Sequence, residues 1–215
     1  MGAPASGYQV MAIPEADGVD LGDGLDWVPI RRLLGVGAFG INAYRAAAVG
    51  DVVVEDHTES TGQEEVYVVL TGAARLTIGD DEVDLTAGKV VHVVDPDLRR
   101  HGVALSAGTS VLAVGGWRDR AYHSLPWEPI YLARPAMKRG DWSEVAETLR
   151  REAGEHLETG ILRYRLAHCH AKLGEDDLAI AELERSIAIN PVYADRAASD
   201  EAFAALRNRD DWPSA

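Results

Sequence analysis

Near Pro126 the hydrophobic rhythm of this chain changes, and no single repeating architecture accommodates both halves. From Leu25 to about Trp117 the apolar residues come in short Val-rich runs: GINAYRA, DVVVE, EVYVVL, ARLTI, EVDL, KVVHVV, HGVAL and SVLAV. Turn pairs such as Gly79-Asp80 and Ala87-Gly88 punctuate them and no helical period intervenes, so an antiparallel β-sandwich or barrel is expected. Beyond Pro126 the spacing Leu162, Leu166, Cys169, Leu173, and then Ile180, Leu183, Ile187, is that of helices. The expected class is α+β, with a β-sandwich or barrel over residues 25–125 and an α-helical segment over 126–215. Residues 1–24, rich in Gly, Ala, Asp and Pro, read as a flexible or loosely docked leader.

Charge and composition exclude several functions. Lys and Arg total 21 against 35 Asp and Glu, a net charge of −14 over 215 residues. Both halves are acidic, so neither offers the positive field that a phosphate backbone requires, and no nucleic-acid partner is expected. The chain holds no apolar run of about 18 residues, so no membrane span is expected, and it begins without a basic start and apolar block. A lone cysteine, Cys169, leaves no internal disulfide and suits a reducing cytoplasm.

In the helical half, Gly140 and Gly174 stand 34 residues apart, with Lys138 and Leu149 matched by Lys172 and Leu183 at the same offset. Ala133, Ala167, Ala179 and Pro191 complete a pattern that resembles tetratricopeptide repeats. The resemblance implies about two repeats and a terminal helix around Asp200–Arg207. Two repeats bury too little apolar surface alone, so the segment is expected to dock on the barrel, a second copy or a protein partner.

The most informative stretch runs from His57 to Gly72, HTESTGQEEVYVVLTG, followed by Pro96 and His101. His57, Glu59 and Glu65 share odd parity and would face one way along an extended chain. The spacing of Glu65 to Gly72, and of Pro96 to His101, resembles the two motifs of the cupin family over roughly residues 27–116, with Glu59 at the second-histidine position and Leu98 in place of a glycine. The resemblance implies a jelly-roll barrel that binds a small molecule and forms a homodimer through strand edges. It also implies a divalent metal, Fe, Mn, Ni or Zn, on His57, Glu59, Glu65 and His101.

Other readings of the same residues stay open. His57 could cap a turn, with Glu59 and Glu64 as solvated loop carboxylates. A metal-free pocket could instead use Tyr67, His101 and either Arg99 or Arg100 as its polar contacts, with His92 lining the barrel. Arg99 and Arg100 could receive a carboxylate substrate or pair with Asp95, Asp97 or another surface acid, and neighbouring strand residues point oppositely, so at most one faces inward. Three functions follow: a small-molecule-binding cupin-like protein with a helical segment for dimer or partner contact; a metal-dependent dioxygenase or isomerase with Glu59 as base; or a non-catalytic scaffold.

Two textual motifs carry no chemistry. GVGAFG, residues 35–40, lacks the strand and helix context of a dinucleotide site, so no nucleotide cofactor is expected and a bulge or tight crossing is the better reading. His168 and His170, two apart on a helix, point about 200° apart and cannot converge on one ion.

Overall fold

A computed structural model describes residues 7–59, 61–153 and 158–213 of the chain. It divides into two compact units that meet between Ser124 and Leu125. The first is a sandwich of two antiparallel sheets, the second is helical, and the class is α+β. Among the described residues no helix is long and apolar enough to cross a membrane.

The Val-rich runs form β3 (Gly40–Ala46), β4 (Val52–His57), β5 (Glu64–Thr71), β6 (Ala73–Ile78), β7 (Asp81–Thr86), β8 (Val90–Val93), β9 (Arg100–Ala104) and β10 (Ser110–Gly116). Before them come β1 (Val19–Gly22), β2 (Leu25–Val28) and the short helix α1 (Ile30–Leu34). One sheet has the order β1-β2-β3-β10-β5-β8 and the other β4-β9-β6-β7. Their inner faces close on Val53, Val54, Tyr67, Val69, Leu76 and Val111, all nearly inaccessible to water. Burying alternate Val, Leu and Tyr residues from both sheets is what holds such a sandwich together. The β6–β7 hairpin turns on Gly79-Asp80 between the paired Ile78 and Asp81, and Gly79 takes the positive φ a two-residue loop demands.

The leader is not loose over the residues described, which begin at Gly7. Val19–Gly22 pairs with β2, and Met11, Ile13 and Ala16 pack on Val28, Ile30 and Ala43, covering the outer face of one sheet. Arg45 fixes this segment by donating to the Ile13 and Pro14 carbonyls while pairing with Asp26. The β unit therefore starts ahead of Leu25. In the GVGAFG run Gly35 (φ 66°) ends α1, and Gly40 opens β3 where an added Cβ would come within 3.0 Å of the Tyr122 hydroxyl, so this end of the run does serve a close approach.

The second unit comprises α2 (Trp127–Arg139), α3 (Trp142–Ala153), α4 (Gly160–Leu173), α5 (Asp176–Ile189) and α6 (Val192–Ser199). Gly140 and Gly174 end α2 and α4 with φ near 70°, and the residue after each donates to the carbonyl five positions back, Asp141 to Ala136 and Glu175 to His170. This closure satisfies carbonyls the helix end leaves orphaned. Leu149, Leu162, Leu166 and Cys169 fill one core, and Tyr164, Leu183, Ile187 and Phe203 another. The terminal helix lies earlier than the expected Asp200–Arg207: α6 stops at Ser199. Asp200 takes extended backbone angles and caps a 3-10 turn, Glu201–Phe203, by accepting from the Ala202 amide. Aspartate competes better for a cap than for a helix interior.

Candidate metal centre

One end of the sandwich carries a polar cluster in an otherwise apolar interior. His57 ends β4 on one sheet, Glu65 and Tyr67 begin β5 on the other, and Glu59 sits on the connection between them. The β4–β9 ladder has register shifts on either side of Val54, so both Val53 and Val54 are buried and His57 falls opposite Arg100. Directly paired residues project to the same side of a sheet. His57 and Arg100 therefore enter the interior together. Glu65 pairs with Gly115 on β10, whose missing side chain leaves room beside the carboxylate.

Ligand atoms of His57, Glu59 and Glu65 all lie within 4.8 Å of one another. His57 Nε2 is 3.4 Å from Glu65 Oε2 and 3.8 Å from Glu59 Oε1. At 2.7 Å from the Glu55 carbonyl, Nδ1 must be the protonated donor there, since a carbonyl only accepts. Nε2 is thereby turned on the carboxylates, the arrangement by which an outer partner fixes a metal-ligating imidazole. Glu65 Oε2 accepts from the Tyr67 hydroxyl at 2.5 Å, and Glu59 Oε2 accepts from the Thr61 hydroxyl at 3.0 Å.

These contacts set the protonation of the cluster. Burial opposes charge on His57, yet the Glu65 carboxylate, the Glu55 carbonyl and the Glu59 charge outweigh it and raise its pKa. Burial would also raise Glu65, but hydrogen bonds from His57 and Tyr67 and the nearby His57 and Arg100 charges hold it low. Glu59 is pushed up, first by burial and then by the charge of Glu65. Burial beside Glu65 lifts the Tyr67 phenol well above its ordinary value, so it stays a donor. One imidazole and two carboxylates, partly reachable by water, form a donor set that suits a borderline divalent cation.

The other expected residues are placed elsewhere. His101 does not join the cluster: Arg100, Gly102 and Ala104 alternate inward along β9, which turns His101 and Val103 to the opposite face. There His101 lines a hollow of about 280 Å³ with Asp56, Thr77, Gly79 and Arg99. Val103, although apolar, shares the outward parity, so apolar character misreports the inner face of this strand. Arg99 belongs to that outer hollow and not to the interior cluster, and there it makes a two-pronged surface pair with Asp56 at 2.6 and 2.8 Å. His92 also faces outward, between the inward Val91 and Val93, and meets Glu64 at 2.9 Å. Arg118 binds the same Glu64 oxygen.

Of the two arginines, Arg100 is the inward one, with no exposed side-chain surface. Its Nε approaches Glu65 Oε2 to 3.5 Å and its Nη1 donates to the Pro96 carbonyl, whereas Nε and Nη2 have no hydrogen-bond partner among the described residues. Thr61, Trp117 and Arg120, none of them among the site residues expected from the sequence, all bear on Glu59. Nothing local marks them, because Trp117 and Arg120 reach the site from more than fifty residues away.

No family model matches the chain, and no curated protein matches it. Among solved structures the chain is similar to a cupin protein from Bacteroides fragilis, with 20% identity over 55% of this chain and 91% of that one and a TM-score of 0.42. It is similar to KdgF from Halomonas sp. at 17% identity, covering 52% and 96%, with a TM-score of 0.40. An RmlC-like cupin from Shewanella frigidimarina NCIMB 400 matches at 16% identity over 52% and 94%, also with a TM-score of 0.40.

Proposed function

We propose that the β unit binds a small molecule at a divalent cation held by His57, Glu59 and Glu65. The observation that carries this reading is the meeting of three ligand atoms within 4.8 Å, with the imidazole oriented by the Glu55 carbonyl. Iron(II), manganese, nickel and zinc all suit such a set, and an ion bound by three protein groups keeps positions open for an incoming oxygen or nitrogen. When bound, the ion supplies Lewis-acid polarisation of that ligand. The chain's own contribution is to hold the donors: His57, Tyr67 and Arg100 together hold the Glu65 pKa low, and Thr61 orients Glu59. Metal analysis of tag-free protein after exposure to each of the four ions tests the reading. Stoichiometric uptake by wild type, lost in His57→Ala and in Glu65→Ala, is expected; no uptake of any ion by wild type overturns it.

A second reading, a metal-dependent oxygenase or isomerase, is favoured by the raised pKa of Glu59, which brings its carboxyl toward the range useful to a general base. Under it, Glu59→Gln retains the small molecule and loses turnover. The helical unit, in either case, is read as two tetratricopeptide-like units that contact a protein partner or a second copy. The identical closures at Gly140 and Gly174 support the repeat, and the assembly expected is a homodimer, which sedimentation of the full chain at micromolar concentration checks.

A further inference from the structure

Glu59 is the least secure donor of the cluster. It lies on the connection between two sheets, outside any ladder, and the neighbouring Glu65 charge repels it. A carboxylate in that position swings toward water unless its loop is held. The hold converges on one residue. The Thr61 hydroxyl donates to Glu59 Oε2 at 3.0 Å, while the Thr61 carbonyl accepts from Trp117 Nε1 at 2.8 Å and from Arg120 Nη2 at 2.9 Å. Both donors come from the segment after β10, the last stretch of the β unit before the chain enters the helical one. They brace each other, since the Arg120 guanidinium lies 4.5 Å from the Trp117 ring centroid, and His123 stacks on that ring at 4.4 Å. The Glu59 amide is tied separately, to the Pro96 carbonyl at 2.9 Å.

We infer that Trp117 and Arg120 are positioning residues for the cation site, fixing the Glu59 carboxylate through Thr61. The inference rests on the metal reading above and goes beyond it by assigning the support of one donor to a remote segment. Outer-shell partners of metal ligands are worth roughly 10-fold to 100-fold in affinity, and a doubly held carbonyl two residues along the chain from Glu59 acts in the same way.

The test is calorimetric titration of Mn²⁺ into the full-length chain, comparing wild type with Trp117→Phe/Arg120→Gln, both with and without Glu59→Gln. Phenylalanine keeps an aromatic face, though a smaller one, and removes the donor, and thermal melting identifies any variant that has lost its fold. In that event the single Arg120→Gln and its rescue by Arg120→Lys take the place of the pair. The expected result is Mn²⁺ affinity lowered about tenfold by the pair in the wild-type background, with no further loss once Glu59 is Gln. Equal affinity with and without the two changes overturns the inference while leaving the metal reading intact, as does an equal loss in the Glu59→Gln background. If wild type takes up no Mn²⁺, Fe²⁺, Ni²⁺ or Zn²⁺, the metal reading falls and the inference falls with it.

Discussion

Arg100 Nε lies 3.5 Å from Glu65 Oε2, and the whole guanidinium is shut away from water at the end of the sandwich. The first residue of β9 thus delivers a cation to the interior. Its charge helps balance one of the two carboxylates there, to which the Tyr67 hydroxyl donates at 2.5 Å.

Removing Arg100 takes away one of the two positive groups beside the buried Glu65, His57 being the other, and breaking a buried pair outright costs about 3–5 kcal/mol. Arg100→Met should therefore lower stability markedly in urea unfolding, and adding Glu65→Gln should recover part of the loss. If the double variant is as unstable as the two single losses summed, the two side chains are not coupled and the pairing is incidental.

The two histidines first expected to share an ion should behave differently. His57→Ala is expected to abolish uptake of divalent metal, whereas His101→Ala should retain wild-type stoichiometry, because its ring lies on the outer face beside Asp56 and Thr77. Equal metal loss in both variants would contradict the register of β9 described above.

Gly72, which closes the Glu65-to-Gly72 spacing, has a structural explanation in its backbone. Its φ is +73°, and a Cβ there would come within 2.4 Å of Thr109 Oγ1 and 2.9 Å of Thr109 Cα. Left-handed strain alone costs about 1–3 kcal/mol, and the clash with backbone adds to it. Gly72→Ala should lower the unfolding midpoint clearly, while Gly88→Ala, with a positive φ but open space around it, should lower it less.

Acid should weaken the helical unit. Burial lowers the pKa of His168 below its ordinary 6.5, with the Arg165, Lys172 and Arg196 charges adding to the effect and Asp200 opposing it. The unfolded chain then takes up a proton that the folded one resists, so stability is complete above about 6.5 and declines as the pH falls below it. Asp200, held low against burial by the Tyr164 hydroxyl and the Ala202 amide, adds a second loss once the pH drops under its ordinary 3.8. His168→Phe should flatten the decline between pH 6.5 and 5 in chemical denaturation of the full chain. An unchanged slope would rule out His168 as its source.

Most of the architecture was legible in the amino-acid order because it depends on period. Eight Val-rich runs became eight strands, and the Leu and Ile spacing after Pro126 became helices, since alternation and 3.6-residue repetition are set by local backbone geometry. Odd parity suggested a common side for His57, Glu59 and Glu65, but the three come together from two sheets and the connection between them, a relation that parity along one strand does not supply. What the order of residues left undetermined was every relation that crosses between strands. Register shifts around Val54 paired His57 with Arg100 rather than His101, and a one-residue difference in register reverses which face a side chain occupies. The packing of Met11, Ile13 and Ala16 onto a sheet, the burial of Arg100 and the grip of Trp117 and Arg120 on Thr61 likewise exist only once distant segments meet. Local sequence determined the elements; the ladders and the closure of the two sheets decided which of its polar residues share a site.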